Sequence, residues 1–455
     1  MPKDTISCVF TLVKVYILWY TRGTPLTVII GNFQALSNGN YFWLIRIRFM
    51  EPTTVVGIDI GTTKICALVA EVNGSNEIRI LGSGVTPSKG LRKGVIINVS
   101  EATQAITEAI TRAEDASGYE IVSAFVGLAG AHIDAINNQG TVNIHHGQHI
   151  IQPDDIKRAL EAAQTIGLAQ DRQILHVIPR DFTVDDEDGV KDPIGMHAKQ
   201  LAVEAHIVTG ARSSINNLVK CVQNAHVQVD ALVLEPIASG EAVLTKMERE
   251  MGVVLADIGG GTTDIAIFME GNIWHSVVLP TGGQQITNDI AIGLQTPFET
   301  AEEIKIKSGH ALPHKIFEHE TLEIAAFGEQ NRQTASRRFL TEIIQARVEE
   351  IFELILQEIK RTGYDSLLPA GVVLCGGTAN LAGIKEVAGS VLGMPVRLGT
   401  PQNLRGVIDN LNEPAFATGV GLLEWGKQHQ PQPVSSRPAT RHIRIPGWLK
   451  AFLPG

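Results

Sequence analysis

Two short apolar runs joined by a glycine-rich turn occur twice in this chain. The later copy runs Val253-Val254-Leu255-Ala256-Asp257-Ile258, then Gly259-Gly260-Gly261-Thr262-Thr263, then Asp264-Ile265-Ala266-Ile267-Phe268. Runs rich in Val, Ile and Leu and bounded by glycine are the pattern of buried strands, so the segment predicts a β-hairpin. The earlier copy, Val55-Val56-Gly57-Ile58-Asp59-Ile60-Gly61-Thr62-Thr63-Lys64-Ile65-Cys66-Ala67-Leu68-Val69, has the same plan with a shorter turn. A helical period follows, opened by Ser100 as N-cap, carrying Ala105, Ile106, Ala109 and Ile110 on one face and stopping near Gly118. Ile121 to Leu128 is a buried-strand run. From Gly130 to Ala211 the pattern gives a strand pair near Ile133 to Ile144, a helix opened by Pro153-Asp154-Asp155, and strands Gln173 to Val184 and Leu201 to Val208. A helix from Ser213 to Ala225 and a strand from Val227 to Leu234 come next. Thr300 to Ser308 reads as an amphipathic helix stopped by Gly309. A long helix from Ser336 to Thr362 carries a stripe of Phe339, Ile343, Ile344, Val348, Ile351, Phe352, Ile355 and Ile359, and Gly363 ends it. A buried strand from Gly371 to Cys375 leads into the turn Gly376-Gly377-Thr378.

The turns carry the chemistry. Glycines without Cβ atoms let backbone N–H groups approach phosphate oxygens, and Thr62, Thr63, Thr262 and Thr263 add hydroxyls. Asp59 and Asp257 each end an entering strand. A carboxylate beside a polyphosphate needs a cation between them, which points to Mg²⁺. An ordinary glycine-rich hairpin is the plain alternative for either copy alone. Two copies in one chain point to a duplicated domain whose halves face each other across a nucleotide.

The pair of turns resembles the two phosphate loops of the actin, sugar kinase and heat-shock chaperone ATPase superfamily. That resemblance implies an α/β, actin-like bilobed ATPase fold, built from duplicated ribonuclease-H-like domains, with a small α+β subdomain inserted in the first half. It implies that ATP is the cofactor, with Asp59 and Asp257 holding Mg²⁺ mainly through water. Gly61, Thr62, Thr63 and Lys64 would hold phosphate from one side, and Gly259, Gly260, Gly261, Thr262 and Thr263 from the other. Glu235-Pro236-Ile237-Ala238-Ser239 resembles the chaperone-type connector, whose glutamate lies near the metal and the attacking water, so Glu235 is the candidate to orient that water. A Glu-Pro at a helix N-terminus has a purely structural use as well. The AExxK arrangement places Glu302 and Lys305 as adenosine contacts, and Gly376, Gly377 and Thr378 match the superfamily's adenosine turn.

The position of the insertion, with Ile174-Leu175-His176-Val177-Ile178-Pro179 and Val190-Lys191-Asp192-Pro193-Ile194-Gly195-Met196 inside it, resembles the bacterial cell-division family FtsA. Residues 50–129 and 212–249 would form the first half, 130–211 the insertion, 250–400 the second half with its small subdomain, and 401–426 a helix returning to the first half. The glycines of that return helix, Gly419 and Gly421, would serve close packing at the hinge. The insertion shows no catalytic constellation and reads as a surface for other division proteins.

The two ends differ from this body. Residues 1–49 are a mixed apolar, aromatic and basic stretch, and Met50 precedes the first phosphate strand, so this stretch is expected to be non-native or disordered. From Lys427 onward there is no Asp or Glu. Residues 427–442 read as a flexible linker. Residues 443–455 read as an amphipathic segment, with Trp448, Leu449, Phe452 and Leu453 on one face and Arg441, Arg444 and Lys450 near the other. Such a segment suits an anionic membrane interface. FtsA-family proteins end in this way and anchor FtsZ to the cytoplasmic membrane. The resemblance therefore implies FtsZ, further copies of the chain and an anionic membrane as partners, and a peripheral location on the cytoplasmic face at the septum, with at most slow ATP hydrolysis. A pilus-assembly relative, a soluble chaperone-type ATPase and a sugar kinase are the alternatives on the same fold.

Bulk properties limit the choice. At 455 residues the chain exceeds one ordinary core. A net charge of −10 argues against general nucleic-acid binding. Cys8, Cys66, Cys221 and Cys375 form no CxxC pair, which fits a reducing compartment. His145-His146-Gly147-Gln148-His149 lacks a completing ligand for a metal site, and Asp185 to Gly189 lacks the spacing of a calcium loop.

Overall fold

The computed structural model describes residues 16–21, 24–29, 53–73, 77–145, 149–325, 332–407 and 410–429. Two sheets of matching topology organise it. In the first, Thr53–Ile60 pairs antiparallel with Lys64–Val72, which pairs antiparallel with Ile78–Pro87. On the other flank Thr53–Ile60 lies parallel to Ser123–Leu128, and that strand lies parallel to Gln228–Leu234. The second sheet repeats this. Val253–Ile258 pairs antiparallel with Thr263–Met269, which pairs with Asn272–Leu279, while Val372–Cys375 and Val396–Leu398 extend the parallel flank. Each half is therefore a three-strand meander followed by two parallel strands, and each has its glycine turn at the first hairpin.

Ten helices accompany the sheets among the described residues: α1 Val99–Ser117, α2 Pro153–Ala163, α3 Arg212–Asn224, α4 Glu235–Val243, α5 Lys246–Met251, α6 Gly283–Gly293, α7 Phe298–Ser308, α8 Arg337–Thr362, α9 Ile384–Leu392 and α10 Ala417–His429. The central strands Thr53–Ile60, Lys64–Val72, Ser123–Leu128, Val253–Ile258, Thr263–Met269 and Val372–Cys375 are buried on both faces, which explains their near-continuous apolar runs. Along Lys64–Val72, Ile65, Ala67 and Val69 join Ile106 and Ile110 of α1 in the outer core. Cys66, Leu68 and Ala70 turn instead to a core shared between the halves, with Ile237 and Ala238 of α4, Leu255, Phe268, and Val420, Leu422 and Leu423 of α10. The helices α4 and α10 cross in backbone contact. A Cβ at Gly421 would stand 1.8 Å from the Ala238 carbonyl oxygen. The second half has its own core around Ile258, Ile265, Ile344, Phe352 and Ile355.

The insertion is a four-stranded sheet, ordered Glu187–Val190, Arg172–Val184, Gln200–Ala211, Ile133–Asn143, with α2 against it. The expected strand pair at 133–144 is one long strand, whose partner is Gln200–Ala211. The α1 N-cap is Asn98, not Ser100. The Asn98 side chain accepts from the backbone N–H groups of Ser100 and Glu101. Within α8, Phe339 stands outside the core, 47% exposed, because it lies on the outer side of a turn whose neighbours Leu340 and Thr341 are fully buried. The return helix continues past Gly426 to His429, so the first residues assigned to the linker are helical. Within the N-terminal stretch expected to be non-native or disordered, Tyr16–Thr21 and Thr24–Ile29 pair as antiparallel strands, consistent with their β-branched and aromatic content. Residues 430–455, and with them Trp448, Leu449, Phe452, Leu453, Arg441, Arg444 and Lys450, lie outside the described residues, as does His146.

Candidate functional site

The two glycine turns meet. A Cβ on Gly260 would fall 2.2 Å from Thr63 Cγ2, and one on Gly261 would fall 2.6 Å from Thr62 Oγ1. Only residues without a side chain let the second-half turn close on the first-half threonines. Each turn is locked internally: Gly61 N–H donates to Lys64 O at 3.0 Å, and Gly259 N–H to Thr262 O at 2.9 Å. Thr378 Oγ1 and the Gly283 N–H both donate to Gly259 O, at 2.8 and 2.9 Å, so the third glycine motif is tied to the second.

Around this junction lies a cleft in two parts that share Thr63, Gly260, Gly377 and Ala415. The larger part, about 520 Å³, is lined by Ile286, Glu302, Lys305, Ile306, Arg337 and Leu381, among others. Lys305 Nζ bonds Glu302 Oε2 at 2.7 Å, Thr287 Oγ1 at 2.8 Å and Gly283 O at 3.1 Å, and Thr287 donates to Glu302. Burial holds the Lys305 ammonium below its usual range, with Glu302 opposing. This mixture of apolar walls and one fixed ion pair suits a heterocycle with its sugar.

The smaller part, about 100 Å³, is lined by Asp59, Gly61, Thr62, Lys64, Glu235, Asp257, Gly259, Thr262, Gly376 and Thr418, among others. It is acidic. Burial raises Asp59 to about 6, Lys64 opposes the shift and Asp257 adds to it. Burial also raises Asp257, against hydrogen bonds from Ser239 and Thr418. Glu235, at the first position of α4, is raised by burial and then by Asp59, Asp264 and Asp257. Asp264 faces Asp257 directly across the hairpin, and its Oδ1 is buried with no protein partner. Carboxylates that raise one another and leave an oxygen unpartnered fit a cation brought in with the ligand. Among the described residues no three metal-ligating side chains converge, so the fit is to Mg²⁺ held by water and phosphate, not to a protein cage.

Two expected phosphate contacts have other partners. Lys64 Nζ donates to Ala415 O and sits 3.7 Å from the Phe416 ring centroid. The hydroxyl of Thr263, fully buried, donates to Thr281 O at 2.9 Å. Gly261 lines neither part of the cleft and lies instead against Thr62. The remaining candidates, Asp59, Gly61, Thr62, Thr63, Glu235, Asp257, Gly259, Gly260, Thr262, Glu302, Lys305, Gly376, Gly377 and Thr378, line one part of the cleft or the other. Sequence reasoning missed Asp264, Ser239, Thr418, Thr287 and Arg337. Asp264 was legible as the charged residue in an apolar strand. The others become visible only where distant segments meet.

Comparisons with known proteins bear on the family and the fold. The family described as "Cell division protein FtsA" matches residues 254–421, and the "SHS2 domain inserted in FTSA" matches residues 130–209. The cell division protein FtsA of Pseudomonas aeruginosa is 44% identical over 376 residues, covering 83% of this chain and 90% of that protein. Among solved structures, the PilM-PilN type IV pilus biogenesis complex superposes with a TM-score of 0.60 at 16% identity, covering 82% of this chain and 98% of that one. MreB5 of Spiroplasma citri bound to ADP gives 0.50 at 14% identity, covering 82% and 97%. These two likenesses are likenesses of fold, the actin-like ATPase fold with a sheet in each half.

Proposed function

Because this chain belongs to the FtsA family of cell-division proteins, we propose that it binds ATP with Mg²⁺ in the cleft and works as an actin-like polymer that tethers FtsZ to the membrane. One observation carries the nucleotide reading: the contact of Gly260 and Gly261 with Thr63 and Thr62 over the acidic pocket of Asp59, Asp257 and Glu235. The larger part of the cleft takes the adenosine, with Glu302 and Lys305 at one wall and Gly376, Gly377 and Thr378 at the other. The smaller part takes the phosphates and the cation, which Asp59 and Asp257 hold mainly through water. Glu235 orients the attacking water, and turnover is slow, so that ATP acts mainly as a clamp on the two halves. In the same reading, residues 443–455 bind anionic lipid on the cytoplasmic face of the membrane at the septum, and the insertion at 130–211 meets other division proteins.

Asp257→Asn is the test. It removes a charge but little volume, so a cation-dependent site loses affinity while the fold persists. Calorimetric titration with ATP and Mg²⁺ is expected to show at least a tenfold weaker complex than wild type, within the range for loss of a hydrogen-bonded charge. Unchanged affinity overturns the assignment.

A further inference from the structure

The carboxylate of Asp257 is held by two hydroxyls that come from the two helices crossing between the halves. Ser239 Oγ, on α4, donates to Asp257 Oδ2 at 2.5 Å, and Thr418 Oγ1, on α10, donates to the same oxygen at 3.1 Å. The two hydroxyls are 3.0 Å apart. Ser239, Thr418 and Asp257 are 0, 6 and 5% exposed, so the three groups meet in the buried floor of the cleft. On the other side, Gly376 at φ 84° brings backbone so close that a Cβ there would stand 2.4 Å from Asp257 Oδ1. The carboxylate is thus held at Oδ2 by two donors far away in sequence, with the Gly376 backbone close beside Oδ1.

The position of these donors gives them a second property. The chain passes from the first half to the second through α4 and returns through α10, and the two helices touch at Gly421 and Ala238. Gly240 of α4 packs on Phe268, in the strand that leaves the second phosphate turn. The meeting of Ser239, Thr418 and Asp257 therefore depends on how α4 and α10 cross. We propose that Ser239 and Thr418 are positioning residues that set Asp257 for the Mg²⁺ of the nucleotide and make that setting depend on how the two crossing helices lie. The proposal rests on the reading of the cleft as a Mg²⁺–nucleotide site and names the device that links that site to the hinge. Residues that orient a metal-holding carboxylate affect metal affinity without touching the metal.

The experiment measures ATP binding to the full chain across a series of Mg²⁺ concentrations and in EDTA. Thr418→Val keeps the shape and removes the donor, and Thr418→Ser keeps the donor. Thr418→Val is expected to raise the Mg²⁺ concentration at half-binding by about ten- to a hundredfold. Binding of ATP in EDTA stays at the wild-type level, and Thr418→Ser returns the Mg²⁺ midpoint to near wild type. Ser239→Ala gives the same shift and serves alone if Thr418→Val does not fold. A wild-type Mg²⁺ midpoint in a folded Thr418→Val or Ser239→Ala protein overturns the proposal, as does an equal loss in EDTA, which marks a general packing defect. If wild type itself binds ATP without regard to Mg²⁺, the nucleotide reading falls first and the positioning role with it.

Discussion

The imidazole of His206 joins the insertion to the second half through hydrogen bonds on both nitrogens. Its Nδ1 meets Asn137 Oδ1 at 2.7 Å and its Nε2 meets Ser276 Oγ at 2.8 Å, with the ring 1% exposed. Burial, then His275, Arg180 and His176, push it down to about 3 from the ordinary 6.5. The unfolded chain takes up a proton near 6.5 and the folded one does not until about 3. The contribution to stability is therefore complete above pH 6.5 and is lost as the pH falls through that window. At pH 5 the loss from this one group is about 2 kcal/mol. Urea unfolding at pH 7.5 and pH 5 should show it, and His206→Gln should flatten the pH dependence by about one proton. A slope unchanged by the substitution excludes His206 as its source. Arg180 stands close by, ion-paired to Glu204 at 2.7 Å, hydrogen-bonded to Tyr364 and stacked at 4.3 Å on Trp274, so the same seam is polar along much of its length.

Helix crossing sets the hinge, and its cost is measurable at Gly421. Alanine there forces a Cβ into the Ala238 carbonyl, where neither helix can yield because both are buried against strands. Gly421→Ala should destabilise the protein by about 3 kcal/mol. In α9, Gly389 has open space around it, and Gly389→Ala should leave the melting temperature unchanged or raise it. Equal melting temperatures for the two variants would falsify the close crossing. These elements also mark how much was legible in the sequence. The hairpins at Asp59 and Asp257, α1, α3 and α8 were readable because strand and helix periods are local properties of the chain. The error at Asn98 is of two residues, since Asn98 and Ser100 are both good caps and only the backbone decides between them. The long strand Ile133–Asn143 read as a pair because its run of polar residues Asn137, Asn138 and Gln139 before Gly140 resembles a turn. Ser239 and Thr418 were unreadable as partners of Asp257, because a serine in one helix and a threonine in another carry no local sign of a shared carboxylate.

The tail leaves the body at the end of α10. The last described helix, α10, ends with His429 stacked on Trp425 at 3.8 Å between ring centroids, and Trp425 meets His176 of the insertion edge-on at 5.9 Å. His176 Nε2 accepts the Leu234 N–H at 3.1 Å, immediately before Glu235. The tail thus departs beside the insertion, from the helix whose other end contributes Thr418 to the cleft. A cut after Gly426 removes the final turn of that helix and the His429 stack, so the cut that isolates the tail falls after His429. Residues 50–455 and 50–429 should then differ only in the segment bearing Trp448, Leu449, Phe452 and Leu453. Sedimented with anionic vesicles, the longer protein is expected to pellet and the shorter to stay in solution. A single short amphipathic segment binds weakly, so pelleting should strengthen when ATP drives assembly and many tails share one surface. If both proteins remain in solution with ATP present, the tail is not a lipid anchor and the tethering role loses its attachment point. If both pellet, the body itself carries the lipid-binding surface, and the basic and aromatic residues after His429 have another use.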